Sequence, residues 1–378
     1  MKLAVYMASY YLAHAVYQSY MSLFYQSRGL SPSQIGAIFA GVAFLSVGAQ
    51  LLWGTVGDRS QSVPRVLRLL LLCSAGLLLC CLAAHTFPAL FLLSLAFGFF
   101  YMPVQPLSDA VALSKLNREK KPFGPIRLMG AIAFSLSALV SGFLIDAQGR
   151  EDRIVLIAAG LMLLAAACSL LLAREPGRGA KRWAGELLRD RSLMALLGFT
   201  LPMQATMGYF YSFFPTHFLS LPGANSAMLG WAHFLASVAE IPFLLFCDRL
   251  YRRFGAPRML AAAAVALCLR WGILGLFQDV RLALFSQALH GLGYIVVTVS
   301  MAKYISQHVP EDLRNSGQTL LCLFSFGVAR VLGNLLGGLA AGWLGMQKGF
   351  LLCSGICLLS LLLYPRKADA LQNPRDMV

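Results

Sequence analysis

Three ionisable side chains stand where charge is costly. Glu240 lies in SAMLGWAHFLASVAEIPFLLF, Arg270 in MLAAAAVALCLRWGILGLF and His290 in LALFSQALHGLGYIVVTV. At ~1.5 Å of helix rise per residue, each sits roughly 12–20 Å from the nearest polar end of its run. If the runs cross a hydrocarbon layer, a charge at that depth costs about 2.5–3.5 kcal/mol by insertion scales. Three such groups on consecutive segments should face one another or water, not lipid. A carboxylate, a guanidinium and an imidazole held together can bind an anion and handle a proton. Glu240 beside Arg270 is expected to be ionised, and His290 titrates near neutrality in water.

Other polar groups fall on shared helical faces. Tyr10, His14 and Gln18 are spaced i, i+4, i+8, as are Tyr101, Gln105 and Asp109. Arg330 and Asn334 are one turn apart. Asp109 and Arg127 fall near the ends of adjacent runs and are expected to form an ion pair. Arginine suits bidentate recognition of a carboxylate. These residues sort into two expected roles. Glu240, His290 and Asp109 would handle protons; Arg127, Arg270, Arg330, Tyr10, His14, Gln18, Gln105 and Asn334 would line a solute cavity. The competing reading is a charge network that only positions helices, with the tyrosines as packing. Gly333, Gly337, Gly338 and Gly342 have the spacing of close helix contacts.

The elements that must position these groups are long apolar helices. The 378 residues are 58% hydrophobic and 12% charged, with mean hydropathy +0.69. A soluble domain is nearer half apolar and a quarter charged. The runs do not alternate as the strands of an outer-membrane barrel would. The formal charge of +15 sits in short loops and is orientation information, so no nucleic-acid partner is expected. Nine cysteines are scattered with no metal-site spacing. No nucleotide-binding loop, HExxH or GxSxG is present, so no cofactor, no metal and no enzymatic activity are expected.

Twelve spans are expected near 3–25, 33–56, 65–85, 87–113, 125–146, 153–174, 193–219, 226–247, 258–277, 281–306, 316–343 and 349–364. One set of loops carries 22 Lys and Arg and the other only five, Arg28, Arg150, Arg153, Arg281 and Lys348. Both termini should therefore be cytoplasmic. The polar segment 175–191 divides residues 1–174 from 192–365, with 366–378 as a tail. Asp58-Arg59 followed by Pro64-Arg65 returns as Asp248-Arg249 followed by Pro257-Arg258. This repeat points to two pseudo-symmetric six-helix bundles with a midplane site, a transporter architecture.

Gly54-Thr55-Val56-Gly57-Asp58-Arg59 resembles the G-x-x-x-D-[RK] signature of the major facilitator superfamily, and Asp248-Arg249 resembles its second copy without the glycines. The resemblance implies a gating role for Gly54, Asp58, Arg59, Asp248 and Arg249. SLFYQSRGLSPSQIGAIFA, PLSDAVALSK, GPIRLMGAIAFSLSALVSG, VAEIPFLLF, LRWGI and LHGLG are similar to the lactose permease-like branch, and within it to the bacterial 3-phenylpropionate permeases. That branch implies the pair Asp109 and Arg127 and the set Glu240, Arg270 and His290. Its second glutamate, one turn after the histidine, is Gly293 here. Proton transfer by that group does not carry over.

The resulting expectation is a monomeric, proton-coupled importer in the bacterial inner membrane. It would take a small organic anion, an aromatic monocarboxylate such as 3-phenylpropionate, by alternating access around a cavity between the halves. A sugar or nucleoside symporter, an exporter, or a non-transporting membrane scaffold on the same fold stay open as alternatives.

Overall fold

The computed structural model describes residues 2–121, 124–145, 151–173, 185–310 and 314–362. Among these the regular structure is entirely helical. The spanning helices are α1 (Lys2–Ser27), α2 (Pro32–Arg59), α3 (Val63–Ala83), α4 (Phe87–Leu116), α5 (Pro125–Ile145) and α6 (Asp152–Leu171). They continue with α7 (Arg191–Leu219), α8 (Ser226–Phe246), α9 (Arg249–Leu276), α10 (Val280–His308), α11 (Gly317–Leu344) and α12 (Met346–Leu362). The chain is an all-α polytopic membrane protein with these twelve helices.

Nine of the twelve, among the described residues, are long and apolar enough to cross a membrane by length and composition alone. The other three have separate reasons. Helix α12 is short and apolar. Helices α1 and α7 are long but carry Tyr, Ser, Gln, Thr and His on several faces. Both are buried along most of their length, Tyr6, Tyr10, Tyr20, Phe210 and Phe213 to 1% exposure or less. A helix packed against protein on every side has no need of a lipid-compatible surface.

Local sequence explains where the helices start. Ser31 caps α2: its Oγ accepts from the Gln34 amide while the Gln34 side chain accepts from the Ser31 amide, with Pro32 opening the helix. Asp190 caps α7 through the amides of Ser192 and Leu193. Asp279 caps α10 through those of Arg281 and Leu282. Gly255, at φ +71°, kinks α9 two residues before Pro257, a conformation that glycine adopts without penalty.

The chain forms two compact units. The first comprises Met1–Lys181 with Tyr211–Phe234. In it α1 lies against α5 and α6. Tyr20 donates to the Ala138 carbonyl at 2.6 Å and Ser137 to that of Leu12 at 2.8 Å. Tyr25 and Ser94 join α1 to α4 at 2.6 Å. Gly142 and Gly230 bring the start of α8 against α5: a Cβ at Gly142 would lie 2.5 Å from the Ser226 carbonyl oxygen. The second unit comprises Arg182–Phe210 with Leu235–Val378. Here Gly333 of α11 meets the backbone of Ala205 on α7, where a Cβ would come within 2.0 Å of the carbonyl oxygen. Gly337 of α11 and Gly349 of α12 make room for the Tyr209 ring, whose hydroxyl donates to the Met346 carbonyl at 2.8 Å. Small residues at these crossings let helices approach, as the spacing of the α11 glycines suggested.

Candidate functional site

In the second unit, irregular turns surround the ionisable groups. Helix α8 passes through a local turn at Ala239, where φ and ψ stay helical, just before Glu240. Helix α10 tightens to a 3₁₀ turn over Gln287–Leu289, then widens to a π turn over Gly291–Ile295. Helix α11 carries a π turn over Leu323–Val328, just before Arg330. Such widened turns often mark functional sites. Non-regular backbone at membrane depth survives only where protein or a watery cavity surrounds it.

One glycine brings two of these irregularities together. A Cβ at Gly291 would lie 1.9 Å from the Ala239 carbonyl oxygen, so the widened turn of α10 presses against α8 at its local turn. The residues flanking that contact are Glu240 and His290, and the imidazole Nε2 lies 3.2 Å from the Glu240 Oε1. We expect Gly291→Ala to lower both thermal stability and transport, since the obstacle is backbone. Overpacking typically costs about 1–3 kcal/mol. Gly272→Ala is the control, because its Cβ would meet only Ser354 Oγ at 3.5 Å. Equal melting temperatures and uptake for the Gly291 variant and wild type would remove Gly291 from the site.

Arg270 is fully buried. Its Nη1 lies 2.7 Å from His290 Nδ1, and its Nη2 donates to Gln287 Oε1. The guanidinium also stacks over Phe210 at 4.2 Å and Trp271 at 4.8 Å. Two aromatic faces stabilise a desolvated cation by about 2 kcal/mol or more. A guanidinium has no acceptor, so His290 Nδ1 must be the acceptor of that bond. The ring proton is then on Nε2, where it is donated to Glu240. The three groups form a directed chain, from cation through neutral imidazole to carboxylate. His290 stacks on Tyr294 with centroids 5.3 Å apart.

Arg330 lies within electrostatic reach of His290. It is placed by Gly208 of α7, whose Cβ position is 3.5 Å from Arg330 Cα and 3.3 Å from Asn334 Oδ1. Asn334 is buried. Gly293 packs on Leu267, 2.5 Å from its Cβ position, in a wholly apolar contact.

The first unit holds a separate, aromatic cluster. Tyr10 stacks on His14 at 5.6 Å and approaches Tyr101 at 6.1 Å. His14 Nδ1 and the Tyr101 hydroxyl are 3.2 Å apart. Tyr17 and Phe97 extend the cluster, 4.7 Å from each other and 5.3 and 4.9 Å from Tyr101. Gln18 and Gln105 are half-buried, one turn beyond His14 and Tyr101.

Asp109 and Arg127 lie within electrostatic reach of each other, and each has further surroundings. Arg127 Nη1 donates to the Tyr11 hydroxyl, and its guanidinium lies 5.4 Å from that ring's centroid. The cause is Gly130, one turn after Arg127: a Cβ there would come 2.5 Å from the Tyr11 ring, so the bare backbone lets the phenol cross α5 and reach the guanidinium. Asp109 Oδ1 is buried with no hydrogen-bond partner. Its neighbour Ser108 gives its proton to the Val104 carbonyl at 2.6 Å, so the Tyr6 hydroxyl donates to Ser108 at 2.7 Å rather than to the acid.

At the other expected positions, Gly54 has open space around its Cβ position, and Arg59 and Arg249 are exposed. The side chains of Asp58 and Asp248 lie outside the described residues, as do 175–184 of the dividing segment and the 366–378 tail. Sequence reasoning missed Gln287, Tyr11, Phe210 and Trp271. Gln287 had a signal, a polar residue one turn before His290 in an apolar run. Tyr11 and Phe210 had none, since aromatic residues in spanning helices are usually packing.

A sequence model described as the MFS_1 like family matches residues 1–352. The chain is 28% identical over 335 residues to "Putative nucleoside transporter YegT" of Escherichia coli (strain K12), covering 84% of this chain and 78% of that one. It is 26% identical over 307 residues to "Probable 3-phenylpropionic acid transporter" of the same organism, covering 79% and 80%. It is 27% identical over 360 residues to a maltose permease of Geobacillus stearothermophilus, covering 92% and 90%. The crystal structure of the nucleoside transporter NupG superposes with a TM-score of 0.83 at 18% identity, over 96% of this chain and 97% of that chain. At that identity the likeness speaks for the fold alone.

Proposed function

We propose a transport reaction from one premise: this chain belongs to the MFS_1 like family of membrane transporters. It is a multi-pass transporter of a small molecule, and its relatives are transporters rather than enzymes. The proposed reaction is proton-coupled import of a small aromatic monocarboxylate such as 3-phenylpropionate. The protein would act as a monomer in the inner membrane, with both termini cytoplasmic and two bundles divided at 175–191. The gating roles of Gly54, Asp58, Arg59, Asp248 and Arg249 belong to the same proposal.

The observation that carries this reading is the chain Arg270, His290, Glu240. While Glu240 is ionised, it accepts the His290 proton and balances Arg270. When Glu240 takes a proton from water, its attraction for the imidazole falls and the Arg270 charge is left uncompensated. A substrate carboxylate can then supply the missing negative charge. Binding of the two ligands is thereby mutually favourable, and ligands bias a transporter only through such differential affinity. Arg330 adds a second cation within the same unit; in the other unit Tyr10, Tyr101 and Phe97 offer aromatic faces, Arg127 a cation and Asp109 Oδ1 a proton acceptor.

A second reading, a nucleoside as the solute, is favoured by the cluster of Tyr10, His14, Tyr17 and Tyr101. Their flat faces stack a base as well as a phenyl ring, and their polar tips suit a neutral partner. Purified protein in proteoliposomes under an imposed pH gradient separates the two. We expect uptake of labelled 3-phenylpropionate over uridine and maltose. Hydrogen bonds to charged groups contribute about 1.5–3 kcal/mol, so Arg127→Gln should weaken carboxylate uptake by roughly tenfold or more, mainly through KM. Uridine uptake that is unaffected by Arg127→Gln would replace the anion with the nucleoside.

A further inference from the structure

We propose that Gln287 is a positioning residue that fixes the tautomer of His290 by orienting Arg270, so that His290 meets Glu240 only as an Nε2–H donor. The proposal rests on the proton-coupled reading for its role in transport, but the tautomer itself does not.

The orientation of the Gln287 amide is determined by its neighbours. Ser286 has one hydroxyl proton and gives it to the Ala283 carbonyl at 2.7 Å. Its oxygen can then only accept, which it does from Gln287 Nε2 at 3.0 Å. The second Nε2 proton goes to the Ala283 carbonyl, also at 3.0 Å. Both amide protons are used, and Oε1 must point away from Ser286, toward Arg270 Nη2. The flipped amide would set Oε1 against the Ala283 carbonyl oxygen and an NH₂ group against the guanidinium. Gln287 is fully buried, so no solvent-facing rotamer competes.

Arg270 is then held by one edge. With Nη2 on Gln287, Nη1 falls on His290 Nδ1, and that nitrogen can only accept. The 3₁₀ turn over Gln287–Leu289 sets the two residues on consecutive positions of one face, both toward α9. An amide is suited to this task because it is neutral. It holds the guanidinium without cancelling its charge, which remains available to His290 and Glu240. The charged and titratable groups around the imidazole are Glu240 from α8, Arg270 from α9, Arg330 from α11 and Tyr294 on α10. Phe210 of α7 and Trp271 close the remaining sides of Arg270.

The test is nitrogen NMR of ¹⁵N-histidine-labelled protein in lipid nanodiscs, with the His290 signals assigned by their loss in His290→Gln. In the wild type at neutral pH we expect a protonated Nε2 and a bare Nδ1. Gln287→Leu frees the guanidinium edge; combined with Glu240→Gln, whose amide can face either ring nitrogen state, it should populate both tautomers, whereas Glu240→Gln alone should keep the Nε2–H form. Gln287→Glu restores an oxygen acceptor and should restore the single tautomer. Wild-type His290 protonated on Nδ1 overturns the proposal. So does a single Nε2–H signal in Gln287→Leu combined with Glu240→Gln, provided the remaining histidine signals match wild type and report a folded protein. The expected NMR pattern without proton-driven uptake in the wild type would leave the Gln287 role intact and defeat the transport reading instead.

Discussion

Glu240→Gln is expected to abolish pH-gradient-driven accumulation, by about a hundredfold or more, while solute exchange across the membrane continues. The two assays part because exchange needs no net proton movement. Glutamine keeps the size of the side chain and an oxygen within reach of His290 Nε2, which lies 3.2 Å from Glu240 Oε1. It cannot cycle between charged and neutral forms. The position then mimics the protonated state permanently: the Arg270 charge stays uncompensated and solute binding persists. Counterflow of labelled 3-phenylpropionate against unlabelled solute in proteoliposomes, beside uptake driven by an imposed pH gradient, measures both. If Glu240→Gln still concentrates solute under the gradient, the coupling proton is carried elsewhere, and Asp109, with its unpartnered Oδ1, is the next group to replace.

Arg270→Leu is expected to cost the protein both transport and stability. Arg270 is a fully buried cation held by His290, Gln287 and two aromatic faces. Leucine fills part of the volume but supplies no donor. His290 Nδ1 and Gln287 Oε1 lose the donor seen here, and each buried group left unsatisfied costs about 1–3 kcal/mol. Glu240 loses a compensating charge as well, and breaking a buried pair from one side costs about 3–5 kcal/mol. Arg270→Lys is not a mild change, because a single ammonium cannot span both acceptors with the planar fork of arginine. Thermal unfolding in detergent is the measurement. The double variant Arg270→Leu with Glu240→Gln should recover part of the lost melting temperature, since it removes the stranded charge. A single variant as stable as wild type would mean that Arg270 does not organise this cluster.

Much of this molecule is legible in the chain itself. Apolar runs of spanning length locate the helices, and the structure adds their caps at Ser31, Asp190 and Asp279. The glycines of α11 announced close packing, and Gly333 and Gly337 deliver it against Ala205 and Tyr209. Glu240, Arg270 and His290 had to turn inward, because three charge-bearing groups at that depth are not tolerated by lipid. Each of these inferences rests on a local cost, paid within a few residues whatever the rest of the chain does.

The order of the hydrogen bonds was not legible, and neither was Arg127's turn toward Tyr11. Successive helical residues point about 100° apart, so a fraction of a turn in α4 or α5 decides whether Arg127, within electrostatic reach of Asp109, also meets a phenol. The bare backbone of Gly130, packed on the Tyr11 ring, settles it. In α10 a tightened turn and a widened one follow each other around His290, and their combined rotation appears in no spacing rule. The amino-acid sequence thus determined which helices exist and which side chains must avoid lipid, because those costs are local. Only the tertiary structure decided which polar atom faces which, because that depends on helix rotation fixed by contacts hundreds of positions apart or at single glycines such as Gly291.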